Sequence, residues 1–569
     1  MLKWIKTANK KKVNSNFFVQ SALLEFFRLY LKGVLMEKQE KNMQVNPDNG
    51  KFLRAVNDFY IDKTNFISFI NSRIDKDKFG VCFARPRRFG KSITANMLCA
   101  YYSKGCDSKA IFDKFEISKN KDYLTYLNKH NVLYFDMRAY GKNDDTGDNY
   151  IQSFHNAVVE ALRKEFPEIF KDSDIVYLQD AIDAVYQKSG QRFIAVIDEW
   201  DFLFRNYPNN TKVQKSFMSL LEDLFKCGSS SEAFELVYMT GIFPIKRYDT
   251  QSNLNMFSEF NFTNTGGLGQ YFGLTSQEVK SLCVDYDLDF SKAKFWYDGY
   301  RLDGFDIYNP NAIVELILHK IFDNYWTKTS SMEPIYDCIG RNFDGVKECV
   351  IDLVAGSYLH NVEISSSNLE PSSFTCKDDI LAYMIHLGYL AYDRDTDSVY
   401  VPNYEVKESL IKALNKLKWP LYEESLKRSD ILLEATLNKE CDTVASMVAA
   451  LHNKYSSFFD YSTESCLKHA VVLGYLSALK FYEEPRLELK GGLGFADVVF
   501  RPSPKHATGL PALIIEFKKD KSAEIALDQI ESKGYIEAVK GYASSALLIG
   551  ISFDGKTKEH QCVIKEIEI

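Results

Sequence analysis

From about Phe52 onward, apolar residues fall into short continuous runs separated by longer stretches in which they recur every three or four positions. The runs at Val81 to Ala84, Val132 to Phe135, Phe193 to Ile197 and Leu236 to Met239 are rich in β-branched and aromatic residues. Unbroken apolar runs suit strands covered on both faces, and the helical spacing between them predicts an α/β fold around a mostly parallel sheet. Between about Phe374 and Tyr404 the pattern changes. A helical ILAYMIHLGYLAY leads into DRDTDSVYVPN, a polar turn and a strand, which together predict a small winged-helix-like unit. Helical spacing then resumes over about 415 to 460, in ESLIKALNKL and TVASMVAALHNKY. The final stretch predicts a helix from about Glu464 to Tyr482, then strands near Arg486 to Leu489, Phe495 to Phe500 and Leu513 to Phe517. A helix from about Ser522 to Val539 and a strand Ala546 to Ile551 complete the order α-β-β-β-α-β.

At 569 residues the chain holds several folding units. With 46% hydrophobic and 26% charged residues it is globular, and neither disordered nor a coiled coil. The formal net charge of -7 gives no chain-wide attraction to polyanions, so any nucleic-acid contact must come from a local basic groove. No apolar run is long enough for a transmembrane helix, and no membrane partner is expected. The eleven cysteines form no CxxC pair, which argues against a zinc or disulfide framework and for reduced thiols in the cytoplasm. Residues 1 to 35 carry seven Lys and Arg against the single acid Glu25. We read them as part of a basic extension over residues 1–45, rather than as a secretory signal or a docking arm.

The segment VCFARPRRFGKSITANML places a strand, a loop and a helix around Gly90, Lys91 and Ser92. In a phosphate-binding loop, backbone N–H groups and the helix start hold phosphates, the lysine reaches the β and γ oxygens, and the hydroxyl ligates magnesium. Arg85 stands where such a loop normally opens with glycine. The apolar run Phe193 to Ile197 ends in Asp198 and Glu199, the pair needed to hold magnesium and to orient an attacking water. Thr240 ends the next run and is placed to sense the γ-phosphate.

These residues resemble a family. The segments Phe59 to Thr64, Arg85-Pro86-Arg87-Arg88-Phe89-Gly90-Lys91-Ser92, Ile197 to Asp201 and Thr240 to Ile242 are similar to those of AAA-ATPase-like proteins with a C-terminal PD-(D/E)XK nuclease domain. Tyr271 to Thr275, Trp296 to Tyr300, Tyr308 to Pro310 and Val401 to Val406 extend the resemblance. It implies that Arg85 is usual for this group. It also implies an AAA-like P-loop domain over 46–325, a helical, winged-helix-like region over 326–420 and a restriction-endonuclease-like α/β domain over 421–569.

In the last of these, Asp497 lies on one strand and Glu516 and Lys518 on the next. Residues two apart on a strand share a face, so Glu516 and Lys518 project together. Asp497 and Glu516 would hold magnesium for phosphodiester hydrolysis, with Lys518 orienting the water. Glu464 on the preceding helix is a further ligand candidate, and the resemblance adds Gln529 on the following helix. The expectation is an ATP-binding, ATP-hydrolysing protein coupled to magnesium-dependent cleavage of nucleic acid, DNA in preference. The alternative is a nucleotide-gated binding protein with a catalytically silent nuclease fold. A homo-oligomer is compatible with an AAA-like module, but the sequence does not decide between Arg205 and Arg247 as an arginine finger.

Overall fold

A computed structural model of the chain describes residues 43–569 apart from 141–145, 172–173, 228, 246–253, 327–332, 365–368, 370, 417–419, 456–463, 476, 479–480, 484 and 504–508. Arg247 and most of the basic extension lie outside the described residues. The chain divides into two compact units. The first runs to Phe83 and resumes over Lys91–Glu259; the second comprises Ala84–Gly90 and Phe260–Ile569.

The first unit is built on a six-stranded sheet with spatial order β1-β3-β4-β5-β2-β6. Its strands are β1 (Met43–Val45), β2 (Gly80–Ala84), β3 (Asn131–Asp136), β4 (Phe193–Asp198), β5 (Phe234–Gly241) and β6 (Phe257–Phe260). All four apolar runs read from the sequence are strands of this sheet. The strands β3, β4 and β5 are parallel, with Asp136, Asp198 and Thr240 in register at their ends, while the short β1 is antiparallel to β3. Every residue of β2 and β4 is buried, because helices such as α1 (Lys91–Tyr102) cover the faces. Continuous apolar strands are stable only in that setting, since each side chain must leave water whichever way it points.

The second unit begins with a small antiparallel sheet, β7 (Leu274–Thr275), β8 (Tyr300–Leu302) and β9 (Phe305–Tyr308), and with helix α2 (Phe290–Tyr297). The winged-helix-like expectation is met by α3 (Lys377–Leu387), which is followed by β11 (Ala391–Asp393) and β12 (Ser398–Tyr400) after β10 (Leu359–His360). Gly388 ends α3 in a left-handed conformation at φ 85°. Helices α4 (Tyr404–Lys416) and α5 (Cys441–Tyr455) then lead to α6 (Glu464–Gly474).

The C-terminal sheet has the order β13 (Arg486–Gly491), β14 (Gly494–Phe500), β15 (Ala512–Lys519), β16 (Ser545–Phe553) and β17 (His560–Glu568), with helix α7 (Ala523–Lys533) crossing between β15 and β16. The β15–β16 pair is parallel and the other pairs antiparallel. Three details depart from the expected elements. α6 stops at Gly474, and Tyr482 instead forms a bridge with Pro502. The second helix ends when Gly534 turns left-handed at φ 67°, leaving a short 3-10 turn over Tyr535–Ala538. β17 adds an edge strand. No helix among the described residues is long and apolar enough to cross a membrane.

Candidate functional site

At the C-terminal edge of the first sheet, α1 opens at Lys91, beside the ends of β4 and β5. Lys91 is only 5% exposed, and burial lowers its ammonium pKa while Glu199, Asp201 and Asp198 push the other way. Asp198 ends β4 fully buried, with the Ser92 hydroxyl beside it and no hydrogen bond of ordinary geometry to either carboxylate oxygen. Burial raises its carboxyl to about 6. A lysine, a hydroxyl and an orphaned buried carboxylate make a donor set that fits a magnesium-bound triphosphate.

Glu199 adopts a left-handed backbone at φ 56° and is ion-paired with Arg205. Arg205 also reaches Asp201, its Nε 3.2 Å from Oδ2, so its charge is engaged within the same short segment. Asp201 is itself buried, and its Oδ2 accepts from the N–H groups of Ile242 and Phe243, both at 3.0 Å. Trp200 between them is fully buried and donates its Nε1–H to the Phe243 carbonyl at 3.1 Å. The Thr240 hydroxyl donates to the Phe83 carbonyl at 3.1 Å, which ties β5 to β2. The sequence pointed to Asp198 and Glu199 but not to Asp201, which anchors the turn after β4.

The opening half of the phosphate loop belongs to the second unit. Arg85 is fully buried; its Nη1 donates to the carbonyls of Ala84 and Phe260 at 2.9 and 3.0 Å, and its guanidinium lies 5.0 Å from the Phe272 ring. An arginine is therefore accommodated where glycine is usual because its side chain turns into the protein. The conformational freedom is supplied later, by Arg88 at φ 70° and Gly90 at φ 84°.

The C-terminal candidates come together on adjacent strands. Val498 pairs with Ile515, and one further step along that register sets Asp497 opposite Glu516. Asp497 Oδ2 accepts from the Phe517 N–H at 2.9 Å. Glu516 is 3% exposed; its Oε1 accepts from Lys518 Nζ at 2.9 Å and from the Gln529 amide, while Oε2 is buried without a hydrogen-bond partner. Burial and the neighbouring Asp497 charge push the Glu516 carboxyl upward. Gln529 in turn donates to the Tyr535 hydroxyl at 3.1 Å. The two carboxylates, with the orphaned Oε2, fit a divalent cation.

Glu464 stands apart from that pair: it is exposed, and its Oε1 accepts from the Lys519 N–H at 3.1 Å. Among the described residues no group of three or more His, Cys, Asp or Glu forms a metal cage. One residue absent from the sequence reading is Lys468, whose Nζ lies 3.0 Å from Asp497 Oδ1 and also pairs with Glu488. The signal was present, because Lys468 is one helical turn after Glu464 and so shares its face.

Two segments of the chain match family models. Residues 48–250 match the family model described as "Predicted AAA-ATPase", and residues 464–562 match that of the PD-(D/E)XK nuclease superfamily. An uncharacterized protein from the vnfD 5' region of Azotobacter chroococcum mcd 1 is 20% identical over 518 residues, covering 87% of this chain and 93% of the relative. Among solved structures, the Aeropyrum pernix ORC2 protein in its ADPNP-ADP complexes aligns with a TM-score of 0.32 at 11% identity, over 62% of this chain and 91% of that one. AMPPCP-bound DnaA from Aquifex aeolicus aligns with a TM-score of 0.25 at 13% identity, over 66% and 92%. Residues 48–250 thus form an AAA-ATPase-like domain and residues 464–562 a PD-(D/E)XK nuclease superfamily domain, joined in one polypeptide.

Proposed function

We propose that the chain binds and hydrolyses ATP and cleaves phosphodiester bonds of nucleic acid, DNA in preference, with magnesium required at both centres. The observation that carries the nuclease half is the convergence of Asp497, Glu516 and Lys518 at the meeting point of β14 and β15, with Glu516 Oε2 left without a partner. Asp497 and Glu516 hold the metal in this reading, and a metal held there supplies water activation and charge neutralisation at the phosphate. Lys518 orients the water and offsets negative charge on the phosphate, and Gln529 fixes the rotamer of Glu516. In the nucleotide centre Lys91 reaches the terminal phosphates, Ser92 and Asp198 hold the metal, and Glu199 positions the attacking water once released from Arg205. Gly90 lets the loop backbone approach the phosphates. Arg85 and Thr240 support the loop and strand that carry these groups. We further propose the bounds 46–325, 326–420 and 421–569 for the three functional regions, and a cytoplasmic setting in keeping with the free thiols of the described cysteines.

A second reading, a nucleotide-gated binding protein with a silent nuclease fold, draws on Lys468, whose cation already engages Asp497. Incubating the purified chain with DNA and magnesium separates the two. Scission that Asp497→Ala abolishes supports the enzyme; no scission by the wild-type protein selects the silent fold.

A further inference from the structure

Two motifs that this chemistry leaves unused, Trp296 to Tyr300 and Val401 to Tyr404, meet in the second unit. Gly299, at φ 112°, packs so closely that a Cβ there would lie 1.7 Å from the Pro402 carbonyl oxygen. Phe295 stacks on Tyr404 with centroids 4.9 Å apart, and Trp296 meets the same ring edge-on at 4.7 Å. Both motifs wall a cavity of about 630 Å³ whose cations are Lys294, Lys407 and Arg486. Lys407 is 3% exposed, an unusual burial for a lysine. Asp298 and Asp306 answer part of this charge, their Oδ2 atoms lying 3.6 and 3.9 Å from Lys294 Nζ.

A second cavity of about 910 Å³ adjoins the first and shares Ser291, Phe295 and Arg486 with it. Arg486 lies with its guanidinium 5.2 Å from the Phe295 ring centre, at the join. Beyond it the cations are Lys292 and Arg501, facing Asp289 and Glu483. Arg501 is held 4.0 Å over the Tyr542 ring and donates from Nε and Nη2 to the Ala538 carbonyl at 3.0 and 2.6 Å. The trough therefore collects five cations against four carboxyls, in a chain whose net charge is -7. It also offers ring faces: Tyr358 is 56% exposed beside Tyr400, with centroids 5.1 Å apart, and Tyr542 is 45% exposed at the far end.

Spaced cations with exposed aromatic rings are what a single strand needs, because its bases have free faces whereas those of a duplex are stacked on each other. Arg501 follows Asp497 by four residues, roughly 13 Å along an extended chain, so the trough is distinct from the metal site yet within a few nucleotides of it. We propose that this trough holds a single strand of nucleic acid, its phosphates on Lys294, Arg486 and Arg501 and its bases against Tyr358 and Tyr542. This builds on the nuclease reading by naming the form of nucleic acid gripped, through residues outside the catalytic set.

The test is fluorescence anisotropy of a labelled oligothymidylate with the full chain in EDTA and without ATP. Arg486→Ala, Lys294→Ala and Tyr358→Ala should each weaken binding about tenfold. The two charge variants should also flatten the salt dependence by about 0.7 in log-log slope per lost phosphate contact, and Tyr358→Ala should leave it unchanged. Circular dichroism should show all variants folded. Wild-type affinity and slope in Arg486→Ala and Tyr358→Ala would overturn the proposal. So would equal competition by thymidine monophosphate, or by a duplex of the same length. A chain that grips the strand here but cuts nothing refutes the nuclease reading alone; one that cuts DNA while its trough variants bind unchanged refutes only this inference.

Discussion

Glu405 opens α4 almost completely buried, its Oε1 accepting from the N–H groups of Tyr325 and Trp326 at 2.6 and 2.7 Å. Burial outweighs those two bonds and pushes its carboxyl up to about 8 from an ordinary value of 4.5. The folded chain thus holds a proton that the unfolded chain releases across that window. The associated stability is complete below pH 4.5 and is lost as pH rises through 8, at a slope of about 1.4 kcal/mol per pH unit. Glu405→Gln keeps an acceptor and removes the proton, so thermal unfolding between pH 5 and 9 should show a flatter profile than wild type. An unchanged slope would mean that Glu405 is ionised in the native state. In the turn after β4, Asp201→Ala would leave two buried N–H groups without their acceptor and leave Arg205 with Glu199 as its remaining carboxylate. The expected loss is about 3–5 kcal/mol, read as a lowered denaturation midpoint.

At the scale of elements, the close packing of Gly299 on Pro402 gives a further prediction. Gly299→Ala must combine a left-handed backbone with a Cβ inside the Pro402 carbonyl, so it should cost about 3 kcal/mol or more and be visible in chemical denaturation. A loss below about 1 kcal/mol would show that these two segments separate easily. The strands that frame both sites were legible because continuous apolar runs such as Phe193 to Ile197 have few alternatives to a buried sheet. β17 was not: His560–Glu568 mixes Lys and Glu into a half-exposed edge, where charge guards against further pairing and blurs the apolar alternation. The end of α6 and the break at Gly534 depend on tertiary contacts and on one left-handed glycine, which periodicity alone does not reveal. Among site residues, the acids at strand ends were readable from their position after apolar runs. The spacing of Lys468 from Glu464 put it on the same helix face, but its pairing with Asp497 on β14 and the role of Asp201 depend on partners that only the fold brings close.

For the whole molecule, the proposed function needs two centres, one near Lys91 and Asp198 in the segment that matches the AAA-ATPase model and one near Asp497 and Glu516 in the segment that matches the nuclease model. Each centre keeps its own buried carboxylate oxygen without a hydrogen-bond partner. Separate centres make their losses separable. The most direct measurement follows ATP turnover and DNA scission side by side in magnesium for wild type, Lys91→Ala and Asp497→Ala. Lys91→Ala should lose nucleotide turnover, and Asp497→Ala should lose scission while hydrolysing ATP at the wild-type rate. Loss of ATP turnover in Asp497→Ala, or scission that survives it, would contradict the account.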